Sequence, residues 1–559
     1  MKNVRIGDVL KEAGVVSEAQ LEKALAQQKA EGGKKRLGET LVDMKFVTEK
    51  QVLEALAKRF GYPVIDLDTT KVEPEAVTLI PKQLAQRYCI IAIKKTENRL
   101  TVVMNDPLNF YAVEDVRQIT GAPLEIKLSE KRQITNAINQ HYAEAEARGH
   151  ALEANMNASA TMHSEIVDVS AEDASDASVV KLLNSLLTQG FASSASDIHI
   201  EPHEANTQIR IRIDGVIIDY VTLPRSVHQS LIARIKIISG LDIAERRLPQ
   251  DGHFRSRIEG YDINIRTSVI PTVYGEKAVL RFLSSNSAID NSATFGMDEH
   301  NYRLMQSMLR FPHGIIYLTG PTGSGKTTTL YMILEELSKR QVNISTIEDP
   351  VEKNLPKINQ MQVNNVSGLT FELGLRALLR QDPDVIMVGE TRDSETAQIS
   401  VRAAITGHLV FSTLHTNDAV SSIVRLEDMG LPDYLVASSV VGIVAQRLVR
   451  KICPYCKKEH LPDESERALI GPAITRIYKG EGCNYCKGTG YKGRIAVHET
   501  LPVTREIRRM IVNRDSVDAI SDYAKKTIGM RDLRESTLEL VKSGVTTVEE
   551  LLKVSYSVE

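Results

Sequence analysis

Apolar positions recur along this chain with three spacings, each marking a different kind of element. At helical spacing they appear twice near the start, in RIGDVLKEAGVVSEAQLEKALAQQ (5–28) and RLGETLVDMKFVTEKQVLEALAKR (36–59). The shared frame predicts two stacked copies of a short helix, a turn and a second helix. Ser17 and Thr48 stand where a side-chain cap starts each second helix. Residues 62–142 mix strand-like runs, such as 89–93 and 100–103, with helical segments. Ala, Glu, Ser, Asp and Asn dominate 143–178, with no proline or aromatic residue, and a flexible linker is expected there. Strict alternation marks 208–216. Ile209, Ile211 and Ile213 face a core, Arg210 and Arg212 face outward, and Asp214-Gly215 turns a hairpin. From 313 to 450 short apolar runs alternate with helices, the pattern of a mostly parallel α/β sheet. Strands are expected at Gly314–Thr319, 343–347, Val385–Val388 and 409–413.

Composition narrows the class. The chain has 559 residues, 42% apolar and 25% charged, enough for three or four ordinary globular domains. A net charge of -3 argues against a basic nucleic-acid scaffold and against an acidic solvating tail. The most apolar long stretch, 435–449, is broken by Ser438, Ser439, Gln446 and Arg447, too polar for a membrane span. The N-terminus has no signal-peptide core. A cytosolic protein is expected, reaching a membrane only through a partner.

The chemistry concentrates after residue 313. Gly320-Pro321-Thr322-Gly323-Ser324-Gly325-Lys326-Thr327 fits GxxxxGK[ST], entered by an apolar strand and left, through Thr328, by a helix-forming run. The glycines let backbone N–H groups point at phosphates, and the helix N-terminus adds its positive end. Lys326 supplies charge to the terminal phosphates and Thr327 a hydroxyl for Mg²⁺, so ATP is the expected ligand. Hydrolysis also needs carboxylates on neighbouring strand ends. Ile347-Glu348-Asp349-Pro350-Val351-Glu352 offers Glu348 as the water-positioning base, with Glu352 the alternative. The strand before Gly389-Glu390 resembles a Walker B element, and Glu390 is expected to hold the Mg²⁺ shell through water. His408 and His415 bracket the next strand, to sense the terminal phosphate, to link subunits, or simply to pack.

Cys453-Pro-Tyr-Cys456 and Cys483-Asn-Tyr-Cys486 are two CxxC knuckles 26 residues apart. That spacing predicts a closed, structural four-cysteine zinc site, with a redox pair as the alternative.

Together GPTGSGKTT, TIEDPVE, DVIMVGETRD and GHLVFSTLHTND, with ASDIHIEP and LDIAERRLPQDGHF before them, resemble the secretion ATPase superfamily of type II secretion and type IV pili. The resemblance covers most of residues 180–500. It implies a P-loop (RecA-like) core at 293–559, with a zinc-binding clip at 450–492 and a helical tail at 500–559. Ahead of the core it implies an α+β domain at 179–292, the linker 143–178, a small α+β part at 63–142 and a helical-repeat module at 1–62. It also implies a cytoplasmic homo-hexamer at the inner membrane, working on a polytopic platform protein, with pilus alignment proteins as further partners and no stable nucleic-acid complex. Arginines of the domain before the core then reach the nucleotide, and Arg210 and Arg212 are the candidates, with Arg266 and Arg281 behind them. The repeats resemble a cyclic di-GMP module through Arg5, Gly7, Gln28, Arg36 and Gly38. The second copy departs from the frame at Lys45 and Arg59, and a protein-docking module is the alternative. Repeats and tetracysteine together resemble the extension rather than the retraction motors. Type II secretion is the nearest alternative client; a nucleic-acid translocase and a slow, nucleotide-gated regulator are more distant readings.

Overall fold

The computed structural model describes residues 6–30, 37–96, 99–161, 169–258, 260–283 and 292–556. The chain forms two compact units, one mainly from residues up to Phe282 and the other mainly from Leu283 onward.

The first unit opens with the two repeats, as helices Ile6–Glu12, Glu18–Ala30, Leu37–Asp43 and Glu49–Phe60. Thr48 caps its helix in both directions. Its hydroxyl accepts from the Gln51 N–H, and the Gln51 side chain accepts from the Thr48 N–H. Ser17 and Gln20 repeat the arrangement. The turn of the first copy uses Gly14 at φ 70°, and the second copy puts Lys45 into the same left-handed region at φ 58°. The repeat shape thus survives the loss of its glycine, at the strain cost a side chain meets there.

These helices do not close a core by themselves. Leu10, Leu41 and Leu56 join Ile91, Val102 and Ile138 in one continuous cluster. Residues 1–62 and 63–142 therefore share a core instead of forming two bodies, since four short helices bury too little apolar surface alone. The sheet in this part orders Ile90–Thr96, Arg99–Met104 and Leu124–Leu128, the first pair antiparallel and the second parallel. Helices Lys131–Thr161 and Val169–Ala192 occupy most of 143–178, where a linker was expected. The Ala- and Glu-rich composition that reads as a solvated linker is also strongly helix-forming.

An antiparallel six-stranded sheet follows, in the order Val216–Pro224, Asn206–Ile213, Ala195–Pro202, Gly275–Phe282, Tyr261–Thr272, Gln250–Ile258. Asp214 at φ 50° and Gly215 at φ 84° make the expected hairpin turn.

The second unit is built on a seven-stranded sheet, in the order Asn359–Gln362, Ile344–Glu348, Val385–Val388, Leu409–Leu414, Gly314–Thr319, Val440–Ile452, Tyr491–Pro502. All neighbours are parallel except the last pair. Alternate residues feed two cores. Ile315, Tyr317, Ile386 and Val410 enter one, and Ile316, Leu318, Met387 and Phe411 enter the other. A sheet covered on both faces explains why its strands read as continuous apolar runs. Among the described residues, no helix is long and apolar enough to cross a membrane.

Candidate active site

Parallel strands end at one edge of a sheet, so loops distant in sequence meet there. The loop 320–325 leaves the strand Gly314–Thr319 and leads into helix Lys326–Leu337. Gly323 at φ 80° and Gly325 at φ 87° adopt the left-handed backbone that such a loop needs to aim successive amides at one point. Pro321, Thr322 and Gly323 lie exposed on its outer arc, Ser324 turns inward, Thr327 is half-buried and Thr328 exposed. Lys326 is buried, and its ammonium donates to the carbonyls of Gly320 at 2.7 Å and Pro321 at 3.1 Å. Burial, helped by the charge of Arg447 and opposed by Glu390, brings the Lys326 pKa down to about 8. A phosphate anion in the loop would favour the charged form again.

The two glutamates of the acidic segment differ in their surroundings. Glu348, at the end of its strand, is 2% exposed. Its carboxylate accepts from the Tyr331 hydroxyl at 2.5 Å, the Thr346 hydroxyl at 2.6 Å and the Gln360 amide at 3.0 Å. Glu352 instead lies within reach of the Thr327 hydroxyl, and its pKa is raised by burial and then by the neighbouring Glu348. Tyr331 ties the pair together, since its oxygen also accepts from the Glu352 N–H at 3.2 Å. Thr346 was findable by sequence reasoning, because residues two apart on a strand share a face. Tyr331 and Gln360 carry no such signal; Gln360 arrives from the neighbouring strand, opposite Thr346.

Glu390 follows the strand Val385–Val388 and pairs with Arg392 at 2.6 Å, with the His415 ring 3.6 Å away. The two histidines part company. Gly314 lies opposite Leu409 and Thr319 opposite Leu414, so His415 shares the phosphate-loop end of the sheet. His408 lies a strand length away, ~20 Å at about 3.3 Å per residue, with its Nδ1 against the Ala403 carbonyl at 2.9 Å. It packs at the far edge and does not join the loop.

In the six-stranded sheet Arg210 and Arg212 do face away from the core, but both are engaged by carboxylates. Arg210 pairs with Glu201 at 2.7 Å and Arg212 with Asp197 at 3.6 Å. The register reveals a row across the strands: Arg212, Asp197, Arg281, Arg266 and His253 stand side by side. Asp197 holds Arg281 at 2.7 Å. Arg266 is exposed directly opposite Arg281, and like charges in that position repel. Three guanidiniums with one carboxylate make this row an anion-attracting surface.

The four cysteine sulfurs all lie within 4.8 Å of one another. The Sγ atoms of Cys483 and Cys486 are 3.7 Å apart, far from a disulfide's ~2.05 Å and close to the edge of a tetrahedron with metal–sulfur bonds of about 2.3 Å. The Cys483 N–H donates to the Cys486 sulfur at 3.1 Å. The cluster resembles a structural zinc site, and the donor set fits that ion.

Of the repeat residues singled out, Arg5 and Arg36 lie outside the described residues. A Cβ on Gly7 would come within 3.0 Å of Leu21, and one on Gly38 within 3.1 Å of Ile6, so both glycines let helices approach closely. Gln28 and Gly38 also line a cavity of about 1150 Å³ with Tyr88, Phe110 and Tyr111.

Comparison with known proteins places these features. The family described as type II/IV secretion system protein matches residues 172–553, and the MshEN domain matches 60–148, beyond the repeats. The chain is 39% identical over 564 residues to the type IV pilus assembly ATPase PilB of Myxococcus xanthus, covering 98% of each. It is 42% identical over 536 residues to the PilB of Thermus thermophilus, covering 94% of this chain but 59% of that protein's length. The type II secretion system protein E of Dickeya dadantii is 39% identical over 493 residues, covering 86% of this chain and 98% of that one. Among solved structures, the Legionella pneumophila ATPase DotB aligns with a TM-score of 0.50 at 21% identity, over 67% of this chain and 95% of that one, a likeness of fold alone.

Proposed function

The chain belongs to the type II/IV secretion system protein family and is an ATPase of that family, and from that premise we propose that it drives type IV pilus extension as a cytoplasmic hexamer acting on a polytopic inner-membrane platform protein. The observation that carries this reading is end-to-end similarity to a pilus assembly ATPase, covering 98% of both chains. Type II secretion relatives leave more of this chain unmatched, 86% being covered in one and 69% in another.

In the hydrolysis step, Lys326 and the loop amides hold the phosphates. Thr327, with Glu352 and Glu390 nearby, would hold Mg²⁺, which supplies charge neutralisation for phosphoryl transfer. Glu352 orients the attacking water. What supports it over Glu348 is that the Glu348 carboxylate already takes three hydrogen bonds, whereas Glu352 lies within reach of Thr327 and burial raises its affinity for a proton, as a general base needs. Glu348 then positions Tyr331, and through it Glu352. Arg266 supplies charge to the nucleotide of a neighbouring subunit, a role supported by its exposed place opposite Arg281 in a weakly neutralised row. Cys453, Cys456, Cys483 and Cys486 would hold zinc, which would supply a cross-link that folds the clip. The cavity beside Gln28 and Gly38 takes cyclic di-GMP, whose guanines suit the aromatic lining.

Deleting the gene in its own cell tests the client. Loss of surface pili with protein secretion intact supports extension; the opposite result assigns the motor to type II secretion.

A further inference from the structure

The strand Val440–Ile452 runs parallel to the strand that feeds the phosphate loop, with Ala445 opposite Thr319. One residue further, the chains press together. A Cβ on Gly320 would lie 2.4 Å from the Gln446 carbonyl oxygen and 3.0 Å from Arg447 Nη1. Successive strand residues point to opposite faces, and Gln446 and Arg447 both use that property.

On one face the Gln446 side-chain amide donates to the Ser324 carbonyl at 2.9 Å. A Cβ on Gly325 would sit 3.0 Å from the same amide nitrogen, so the loop rests directly on this side chain. On the other face Arg447 donates through Nη2 to the Asn417 carbonyl at 2.8 Å, and through Nη1 to the Gln446 carbonyl at 3.1 Å. Asn417 lies two residues beyond His415. Its loop is fastened again where the Thr416 N–H donates to the Thr319 hydroxyl at 2.9 Å, and where the Ala419 N–H donates to Glu499 at 2.8 Å.

Arg447 is 6% exposed, and its Nε has no partner. Its hydrogen bonds end on neutral oxygens of Gln446 and Asn417. A buried cation so held is costly, and the nearby Glu499 and Asp418 carboxylates offset part of that cost.

We infer that Gln446 and Arg447 are positioning residues for ATP hydrolysis. From opposite faces of one strand they lock the phosphate loop to the loop bearing His415, so that both halves of the site move as one body. This holds whichever client the motor serves.

The test uses the full chain with Arg447→Lys and Gln446→Met, two conservative variants, measuring kcat, KM for ATP and the melting temperature. Arg447→Lys keeps the charge but replaces the rigid fork that reaches both carbonyls with a point donor on a flexible stem. Its kcat falls about 10-fold or more while KM moves less than about threefold, the scale of one lost charged hydrogen bond. Gln446→Met keeps the volume and loses the donor to Ser324, so KM rises about fivefold or more. Folded variants whose kcat and KM both stay within about twofold of the parent overturn the inference, and a lowered melting temperature with unchanged kinetics does so equally.

Discussion

The phosphate-loop site and the arginine row are both electrostatic surfaces built at strands, yet they are organised differently. In the loop, the key groups are consecutive in sequence, and the backbone itself does the binding. In the row, Arg212, Asp197, Arg281, Arg266 and His253 come from five strands, and each acquires its meaning only from its cross-strand neighbours. A carboxylate one strand away turns an outward-facing arginine into half of an ion pair, as Glu201 does to Arg210. The absence of one leaves Arg266 opposed to Arg281. Outward direction is a local property; a free charge is not.

Substitutions can break or sharpen that contrast. The largest effect is expected at Lys326→Ala, which should remove ATP binding and lower turnover by about 10³-fold; near-parental turnover would mean the loop does not bind the substrate as argued. Next, Glu352→Gln should slow hydrolysis about 10²-fold with nucleotide binding kept. Glu348→Gln should lower the melting temperature and slow turnover less, because it disturbs three hydrogen-bond donors; the reverse ranking in single-turnover assays returns the base to Glu348. Smaller again, Arg266→Gln should lower kcat about 10-fold in the assembled enzyme, while Arg210→Gln stays within about threefold. If Arg210→Gln proves the more damaging, the row is structural and the paired arginines are the functional ones.

A separate effect, on stability rather than turnover, concerns two neighbours on the strand Tyr491–Pro502. Burial raises Glu499 from 4.5 to about 7 and lowers His498 from 6.5 to about 4. A folded Glu499 holds its proton where the unfolded chain has lost it, so its contribution to stability falls as pH rises from 4.5 to about 7. His498 works the other way, and its contribution is lost as pH falls from 6.5 to about 4. The slopes oppose each other over much of that range. Glu499→Gln should expose the His498 slope and His498→Gln the Glu499 slope, each on the order of 3 kcal/mol across its window. Denaturant unfolding at stepped pH checks this, and two flat profiles would show that neither group is buried as described.

Much of the fold was legible because it is written in local periods. The repeats kept their helices and caps, and Lys45 even holds the turn that Gly14 makes without strain. At 143–161 and 169–178 the chain is helical although its composition reads as a linker, because Ala and Glu serve both states and only neighbours decide between them. His408 and His415 look equivalent in sequence, yet a parallel strand sends them to opposite ends of the sheet.

By itself the sequence determined the phosphate loop, the two cysteine knuckles and the strands that carry the acidic residues, since contiguous residues fix backbone shape and ligand spacing at short range. Only the tertiary structure decided that Glu352 and not Glu348 faces Thr327, that Arg266 stands beside Arg281, and that Gln446 and Arg447 brace the loop from two faces. The reason is physical: a side chain's charge, reach and hydrogen-bond partners depend on groups brought in from other strands, and no local pattern encodes which strand will lie alongside.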